Sequence, residues 1–264
     1  MTRTPRILLV FHTLFALFML APLVMVVLVA FTDKGYISMP FDGASLRWFK
    51  ALLHNDDFIT AFYRSLGLAA GAASLAVVLA LPAGMAIAWH RFKGREALLG
   101  LLLSPLMLPH IVLGIAMLRF LTQLGASSTM AGLVAAHTVV VMPYVLRLVV
   151  AAATGFERSV AHAAESLGAS AWTVFRRIEL PLILPGVAGG WLIAFINSFD
   201  ELTMSVFVAS PSTQTLPVKL YAYIANTIDP LLASVSTVML ALTLVLMLVL
   251  ERFYGLDRVL GGKT

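Results

Sequence analysis

Long apolar stretches separated by short polar connections restrict most strongly what this sequence can fold into. A helix needs about 20 apolar residues to cross the hydrocarbon core of a bilayer. Six stretches reach this length, at about residues 7–31, 62–89, 97–124, 130–152, 186–208 and 232–250. Hydrophobic residues make up 60% of the 264 residues and charged residues 12%, and the mean hydropathy is +0.95. A soluble domain of this size has no interior large enough for that apolar surface. The sequence therefore predicts an all-α membrane protein of six transmembrane helices, in a single domain covering residues 1–264.

Three of the spans carry further signals. The third contains Pro105 and Pro109, which predict a bent or broken helix. The second contains Gly67 and Gly71, a spacing of small residues that favours close helix packing. The first is longer than the roughly 7–15 apolar residues of a signal peptide and lacks a clean cleavage site, which favours a membrane span.

The distribution of charge predicts the orientation. If the N-terminus is inside, most of the 18 Lys and Arg residues lie on the cytoplasmic side. These are Arg3, Arg6, Arg91, Lys93, Arg95, Arg158, Arg176, Arg177, Arg252, Arg258 and Lys263. The acidic residues Asp33, Asp42, Asp56, Asp57 and Asp229 lie on the other side. The excess of inside cations favours cytoplasmic termini. Residues 153–185 then form a cytoplasmic loop, and residues 32–61 an external segment with a short helix at the membrane surface.

Charge and residue usage also exclude several classes of partner. The net charge of +5 follows from the membrane topology, so no nucleic-acid partner is predicted and the surroundings are lipid. The absence of cysteine excludes disulfides and thiolate-bound metals. None of the six histidines has a metal-binding spacing, so no metal site is predicted.

The cytoplasmic loop predicts two short helices. In the first, Val160, Ala163, Ala164 and Leu167 recur at helical spacing and form a small apolar face. We expect Ser159 to be the N-cap residue and Gly168 to end the helix. On this pattern alone, an ordinary connecting loop is an equally good interpretation.

The second loop helix is predicted between Ser170, as its cap, and Pro181, as its end. Trp172, Phe175 and Ile178 recur every third residue in it. We expect this aromatic face to pack against the protein's own membrane helices.

Two segments of this loop resemble the EAA loop of the permeases of ABC importers. They read Ala163-Ala164-Glu165-Ser166-Leu167-Gly168-Ala169-Ser170 and Ile178-Glu179-Leu180-Pro181. Three further segments resemble the spermidine/putrescine branch of that family, in its second, C-like permease. They read Ser198-Phe199-Asp200-Glu201, Thr215-Leu216-Pro217-Val218 and Ile228-Asp229-Pro230. The first Glu of the family's Glu-Ala-Ala is His162 here. Either the helix cap then depends on Ser159 alone, or Glu165 makes the polar contact with a partner.

The resemblance implies a type I ABC importer permease fold in the bacterial inner membrane, crossing it several times. It implies that the first loop helix is a coupling helix that sits in a groove of a separate ATPase. The coupling residues would be His162, Ala163, Ala164, Glu165, Leu167, Gly168 and Ala169. The expected partners are a homologous permease, two ATPase copies and a periplasmic substrate-binding protein. The chain itself would not be an enzyme and would hold no cofactor, since ATP and Mg belong to the ATPase. The implied solute is spermidine, putrescine or a similar small amine.

Two carboxylates are candidates for a substrate path. Asp200 and Glu201 fall inside the predicted fifth span, where a charge at the helix centre costs roughly 2.5–3.5 kcal/mol. With Asn197 and Met204 they are expected to share one helix face. They form an internal ion pair with Arg119, or a path that attracts cations, or both if substrate amines displace Arg119; Asn197 and Arg119 are then also residues of the path. His110 and His137 also lie within spans, where packed, hydrogen-bonded roles are favoured over a place on the path.

Other functions have weaker support in the sequence. An importer of another amino compound, such as GABA, an opine or an aminophosphonate, would carry similar motifs. An ion-coupled secondary transporter predicts paired broken helices in two inverted halves, and only the third span is rich in proline. A membrane enzyme predicts a catalytic constellation within the spans, and none is found. The tail Gly261–Thr264 resembles the end of a phosphate-binding loop, but Asp257 replaces the required glycine.

Overall fold

The structure is a computed structural model, and it describes residues 6–40, 43–155 and 157–254. Every regular element in these ranges is helical. The helices are α1 (Arg6–Ala30), α2 (Arg47–Leu53), α3 (Asp56–Trp89), α4 (Arg95–Leu103), α5 (His110–Gln123), α6 (Met130–Thr154), α7 (Ser159–Ser166), α8 (Ala171–Val174), α9 (Leu180–Phe199), α10 (Ser205–Val208), α11 (Leu216–Ile224) and α12 (Leu231–Tyr254). A 3₁₀ turn, Ser104–Met107, follows α4, and a π-helical segment, Phe175–Glu179, joins α8 to α9. The charged residues Arg3, Asp42, Arg258 and Lys263 and the tail Gly261–Thr264 lie outside the described residues.

Five helices of the described ranges are long and apolar enough to cross a membrane. Two further helical segments, Arg95–Met107 and His110–Gln123, meet at an angle of 105°, and the number of spans is six if this bent pair is counted as one. The predicted break in the third span is therefore confirmed. Its cause is local, because Leu108 is extended, with φ −91° and ψ 137°, as expected for a residue before a proline.

The second span begins earlier than predicted, at Asp56 instead of residue 62. Asn55 caps the N-terminus of this helix, since its side-chain oxygen accepts a hydrogen bond from the Phe58 N–H at 3.2 Å. Asp56 and Asp57 then occupy the first turn, where carboxylates favour the positive end of the helix dipole. Hydropathy places these polar residues in the external segment, and the predicted span is too short for that reason.

The fifth span differs from the prediction at its N-terminal end. Pro181 is expected to stop the second loop helix, but the helix runs from Ala171 to Phe199 without interruption. The π-helical segment, Phe175–Glu179, explains this continuity. A π-helix bonds each N–H five residues back, so the register shifts just before Pro181, and the missing proline N–H falls in the first turn of α9.

The contacts divide the chain into two compact units. The first comprises Met1–Thr60 and Leu220–Leu244, and the second Ala61–Lys219 and Val245–Thr264. A single domain over the whole chain stays a prediction.

The second unit is built around α6 packed on α9. Gly186 and Gly190 allow the close approach: a Cβ on Gly186 would lie 2.8 Å from the Leu148 carbonyl oxygen, and one on Gly190 would lie 3.1 Å from the Val145 Cα. The sequence predicts close packing at Gly67 and Gly71 instead. A Cβ on Gly67 would have nothing within 4 Å, so that prediction is wrong for Gly67. Small residues are common in apolar helices, and spacing alone does not show which pair meets a neighbour.

The first unit contains the predicted short helix of the external segment, as α2. The Trp48 indole N–H donates to the Lys34 carbonyl at 3.1 Å. In the second segment of this unit, Leu220–Leu244, the Tyr223 hydroxyl donates to the Asp229 carboxylate at 2.8 Å. Burial, then the hydrogen bond and the charge of Asp229, raise the pKa of Tyr223 to about 12.

Candidate functional site

The first loop helix, α7, begins without a side-chain cap. Ser159 is the expected cap, but Arg158 occupies the N-cap position and Ser159 already lies in the first turn. Arg158 has φ −68° and ψ −7°, which is helical geometry. A capping side chain needs an extended backbone to reach back to the free N–H groups, so neither residue serves here.

The end of α7 is a complete Schellman motif. Gly168 has φ +88°, its N–H donates to Glu165 O at 2.9 Å, and the Ala169 N–H donates to Ala164 O at 3.1 Å. The predicted terminating role of Gly168 is therefore confirmed. The motif turns the chain sharply and closes the helix after Ser166.

The apolar face of α7 points away from the rest of the chain. Leu167 is 89% exposed and Val160 52% exposed, and Ala163 between them is also exposed. Ala161, on the opposite face, is fully buried and anchors the helix. The loop thus presents a small apolar knob, and its alanine permits close approach of another surface.

His162 and Glu165 contact each other on the exposed side of α7. The His162 Nδ1 lies 3.2 Å from the Glu165 carboxylate, one helical turn away. Both side chains are exposed, so this pair contributes little to the stability of the helix. It leaves a histidine and a carboxylate at the edge of the apolar knob.

The second loop helix has the predicted cap and only part of the predicted packing face. The Ser170 hydroxyl accepts a hydrogen bond from the Thr173 N–H at 3.3 Å, which confirms the cap. Of the residues expected to pack inward, Phe175 and Ile178 are half-buried but Trp172 is 66% exposed, and the buried residues of this segment are Val174 and Glu179. Because the π-helical segment changes the angular spacing, a face counted at every third residue does not continue through it.

A contact between three elements holds the loop near the C-terminal ends of α3 and α6. The Arg158 guanidinium lies over the Trp89 ring, 5.1 Å from its centre, and 4.0 Å from the Glu179 carboxylate. The Trp89 indole N–H donates to the Ala153 carbonyl at 2.9 Å. These contacts join the ends of α3 and α6 to the π-helical segment. Sequence reasoning missed them, although Glu179 lies inside the Ile-Glu-Leu-Pro segment.

The two candidate acids lie beyond the fifth span and not within it. The prediction of a span over residues 186–208 is wrong at this end too, because α9 ends at Phe199 and α10 is separate. Asp200 and Glu201 lie in the intervening turn, so they do not share a helix face with Asn197 and Met204. Glu201 stabilises the break, since its carboxylate accepts a hydrogen bond from the Met204 N–H at 2.7 Å.

Glu201 pairs with a histidine and not with Arg119. Its second carboxylate oxygen lies 2.9 Å from the His110 Nδ1, and Glu201 is 7% exposed. Arg119 is exposed and has no ion-pair or hydrogen-bond partner within residues 6–40, 43–155 and 157–254. His110 takes the place predicted for Arg119 because of the helix break between α4 and α5, which brings His110, the first residue of α5, to the turn.

His137 holds the same turn from α6. Its Nδ1 lies 2.8 Å from the Ser198 hydroxyl and its Nε2 lies 2.9 Å from the Ser205 hydroxyl, and the side chain is fully buried. A neutral imidazole has one donor and one acceptor, and a hydroxyl serves as either. The packed, hydrogen-bonded role expected for His137 is therefore confirmed.

Asp200 differs from its neighbour in being exposed. In the part of the chain that the structure describes, its carboxylate has no hydrogen-bond or ion-pair partner. Asn197 is half-buried and donates its amide N–H to the Ile193 carbonyl at 2.8 Å, within its own helix. Among the described residues, no group of three or more His, Asp or Glu side chains is placed to hold a metal ion.

Comparisons with known proteins agree with this geometry. A sequence of 32% identity over 225 residues, 85% of this chain and 87% of its own, is the spermidine/putrescine transport system permease protein PotC of Haemophilus influenzae. PotC of Escherichia coli K12 is 30% identical over 252 residues, 96% of this chain and 95% of its own. Among solved structures, a bacterial ABC transporter involved in the import of the acidic polysaccharide alginate superposes with a TM-score of 0.74. At 16% identity it covers 96% of this chain and 99% of its own, and it shows the fold.

The family model of binding-protein-dependent transport system inner membrane components matches residues 77–256. The match includes the loop of residues 153–185 and the turn that carries Asp200. It disfavours the alternative of a secondary transporter that works alone on an ion gradient, because the family consists of components of binding-protein-dependent systems. The chain belongs to the family of binding-protein-dependent transport system inner membrane components and is a multi-pass permease subunit of an ABC importer.

Proposed function

We propose that this permease carries a polyamine, or a similar small amine-bearing solute, into the cytoplasm. The observation that carries the choice of solute is the exposed Asp200 carboxylate, which has no partner in the described chain. An exposed acidic group next to a membrane span attracts cations by its charge. The names of the PotC relatives point to the same class of solute.

The partners follow from the loop and the family. A second, homologous permease completes the pathway, two ATPase copies bind the cytoplasmic loops, and a periplasmic binding protein delivers the solute. This chain holds no cofactor in the proposal, because ATP and Mg are bound by the ATPase. Both termini lie in the cytoplasm, on the side of the cationic loops.

The knob of α7 is the proposed contact with the ATPase. Its residues are His162, Ala163, Ala164, Glu165, Leu167, Gly168 and Ala169. Leu167, which is 89% exposed, would enter an apolar groove, while the His162–Glu165 pair would lie at the rim. Burying an exposed Leu side chain contributes roughly 1.5–3 kcal/mol to such a contact.

Replacing Gly168 tests the docking proposal. Gly168→Val places a β-branched residue at φ +88°, at a cost of about 1–2 kcal/mol, so the Schellman motif opens and the knob is lost. We expect ATPase recovered with the purified permease to fall roughly tenfold, in proportion to that free energy. Ala164→Leu, which adds bulk to the same helix, should also reduce it.

Gly94 provides a matched control. It has φ +87° and lies between α3 and α4, and a Cβ added there would have nothing within 4 Å, as at Gly168. Gly94→Val therefore introduces the same backbone strain away from α7. Equal loss of the ATPase in both variants would contradict a specific role for α7.

The solute is tested by transport. Uptake of labelled spermidine, putrescine and GABA is measured with the assembled importer, with uncharged analogues and small anions as competitors. We expect uptake of the two polyamines and no competition by the uncharged analogues or the anions. Uptake of GABA without uptake of the polyamines would favour the alternative importers, and competition by an anion would refute the proposal.

A further inference from the structure

The turn between α9 and α10 is held by one buried carboxylate. Both oxygens of Glu201 are used: one accepts the Met204 N–H at 2.7 Å, and the other lies 2.9 Å from His110. The side chain is 7% exposed, so a solute has little access to it. Asp200, the preceding residue, is exposed. Two adjacent acids therefore have different surroundings.

The broken third span is seated closely on this turn. His110 is the first residue of α5, directly after the extended Pro109. One turn further along, a Cβ on Gly114 would lie 2.8 Å from Phe207 and 3.2 Å from the Met204 Cα. The contact of α5 with the turn thus involves backbone as well as side chains, and the His110–Glu201 pair lies at its start.

The other side of the turn is held from α6. His137 contacts Ser198 before the turn and Ser205 after it, at 2.8 and 2.9 Å. Two histidines from two spans therefore hold the chain on both sides of residues 200–204. The backbone of Asp200 has little freedom, whereas its carboxylate remains exposed.

We propose that Glu201 is a positioning residue: through His110 and the Met204 N–H it sets the turn that presents Asp200 to the pathway. Glu201 does not contact the solute. This inference rests on the pathway role proposed for Asp200, and it divides the two acids by function. Transport depends on the charge of Asp200 and on the hydrogen-bonding shape of Glu201.

Replacing each acid by its amide separates these roles. In Glu201→Gln, the amide oxygen accepts from the Met204 N–H, and the amide N–H donates to the His110 Nδ1 once the ring proton is on Nε2. The shape of the turn is retained without the charge. In Asp200→Asn, the charge offered to the solute is lost and the turn is untouched.

The measurements are the half-saturation concentration and the maximal rate of amine uptake by the assembled importer. We expect Asp200→Asn to raise half-saturation by about tenfold or more, as for a lost charged contact. Glu201→Gln should stay within about threefold of the parent in both quantities, since its hydrogen bonds are kept. Glu201→Ala and His110→Ala should lower the maximal rate by about tenfold, and His110→Asn, which keeps a polar atom near Nδ1, should recover part of it.

Co-purification of the ATPase is measured for every variant, so that unfolded protein is recognised. A half-saturation shift in Glu201→Gln as large as that in Asp200→Asn would overturn the inference, because it would show that the Glu201 charge meets the solute. Full uptake by Glu201→Ala would overturn it as well. Unchanged uptake by Asp200→Asn would instead refute the pathway role of Asp200, and it is distinguishable because Glu201→Ala would still report on the turn.

Discussion

Glycine serves two separate purposes in this chain at the scale of single residues. Gly168 has a left-handed backbone in open space, where it ends α7. Gly186 lies in a crowded contact, where a Cβ would lie 2.5 Å from the Ala152 Cβ and 2.8 Å from the Leu148 oxygen. The first use concerns conformation and the second concerns space. Substitutions at the two positions should therefore damage different properties of the protein.

Gly186→Ala should destabilise the packing of α9 on α6. The added methyl group meets backbone, which cannot rotate away, so we expect a cost of about 1–3 kcal/mol. The thermal midpoint of the purified permease should fall by several degrees. Gly67→Ala is the control, because it adds a methyl group inside α3 with nothing within 4 Å. That change should be neutral or slightly stabilising, and an equal fall in both variants would contradict the packing assignment.

The role of Gly168 could be predicted from the sequence, but that of Gly186 could not. A helix end is a local event, and a glycine after a short amphipathic helix is a reliable sign of it. Close packing between helices depends on which faces meet, and the sequence of one helix does not contain that information. For the same reason the spacing at Gly67 predicts a contact that this residue does not make.

At the scale of elements, the π-helical segment decides how the loop of residues 153–185 joins the fifth span. It carries the helix past Pro181 and places Glu179 in the interior, near Arg158. From Ala171 onward, the loop and the fifth span therefore form one continuous helix that ends at Phe199. A displacement of the loop would be transmitted directly to α9.

Arg158→Met should loosen this junction. It removes the cation beside the buried Glu179 carboxylate and the stacking on Trp89. Because Arg158 is 30% exposed and 4.0 Å from Glu179, the loss should be about 0.5–1 kcal/mol. Hydrogen exchange in residues 158–179 should become roughly two- to fivefold faster.

Arg176→Met is the matched control for the junction. Arg176 is exposed in the same π-helical segment. It has no ion pair or hydrogen bond to any residue that the structure describes. Its removal should leave exchange in the loop unchanged. If both variants exchange equally fast, the Arg158 contact does not hold the loop.

At the scale of the whole molecule, the charge distribution predicts the orientation in the membrane. Because the chain has no cysteine, single cysteines can be introduced one at a time and labelled. With both termini inside, an impermeant maleimide added to intact cells should label Ala44→Cys and Thr227→Cys. Lys93→Cys and Ser166→Cys should be labelled only after the membrane is opened. Reversed labelling would contradict the proposed orientation.

The sequence alone determined the class of this protein. Apolar length indicated the spans, the placement of Lys and Arg indicated an orientation, and the loop and turn motifs indicated an importer permease. These signals are local or compositional, and local spacing is what a sequence shows directly. The break at Pro109 and the end of α7 at Gly168 are of the same kind.

Only the tertiary structure decided which polar groups meet. Arg119 is the partner that the sequence predicts for the acids, but His110, some 91 positions before Glu201, holds that carboxylate. The pairing depends on a 105° bend and on a span that ends at Phe199, and neither angle nor end point can be read from spacing. A buried carboxylate takes whichever donor the folded chain brings within hydrogen-bonding distance, since an unpaired one is costly. Glu201 is buried and therefore has hydrogen-bond partners, whereas Asp200 is exposed to solvent and needs none.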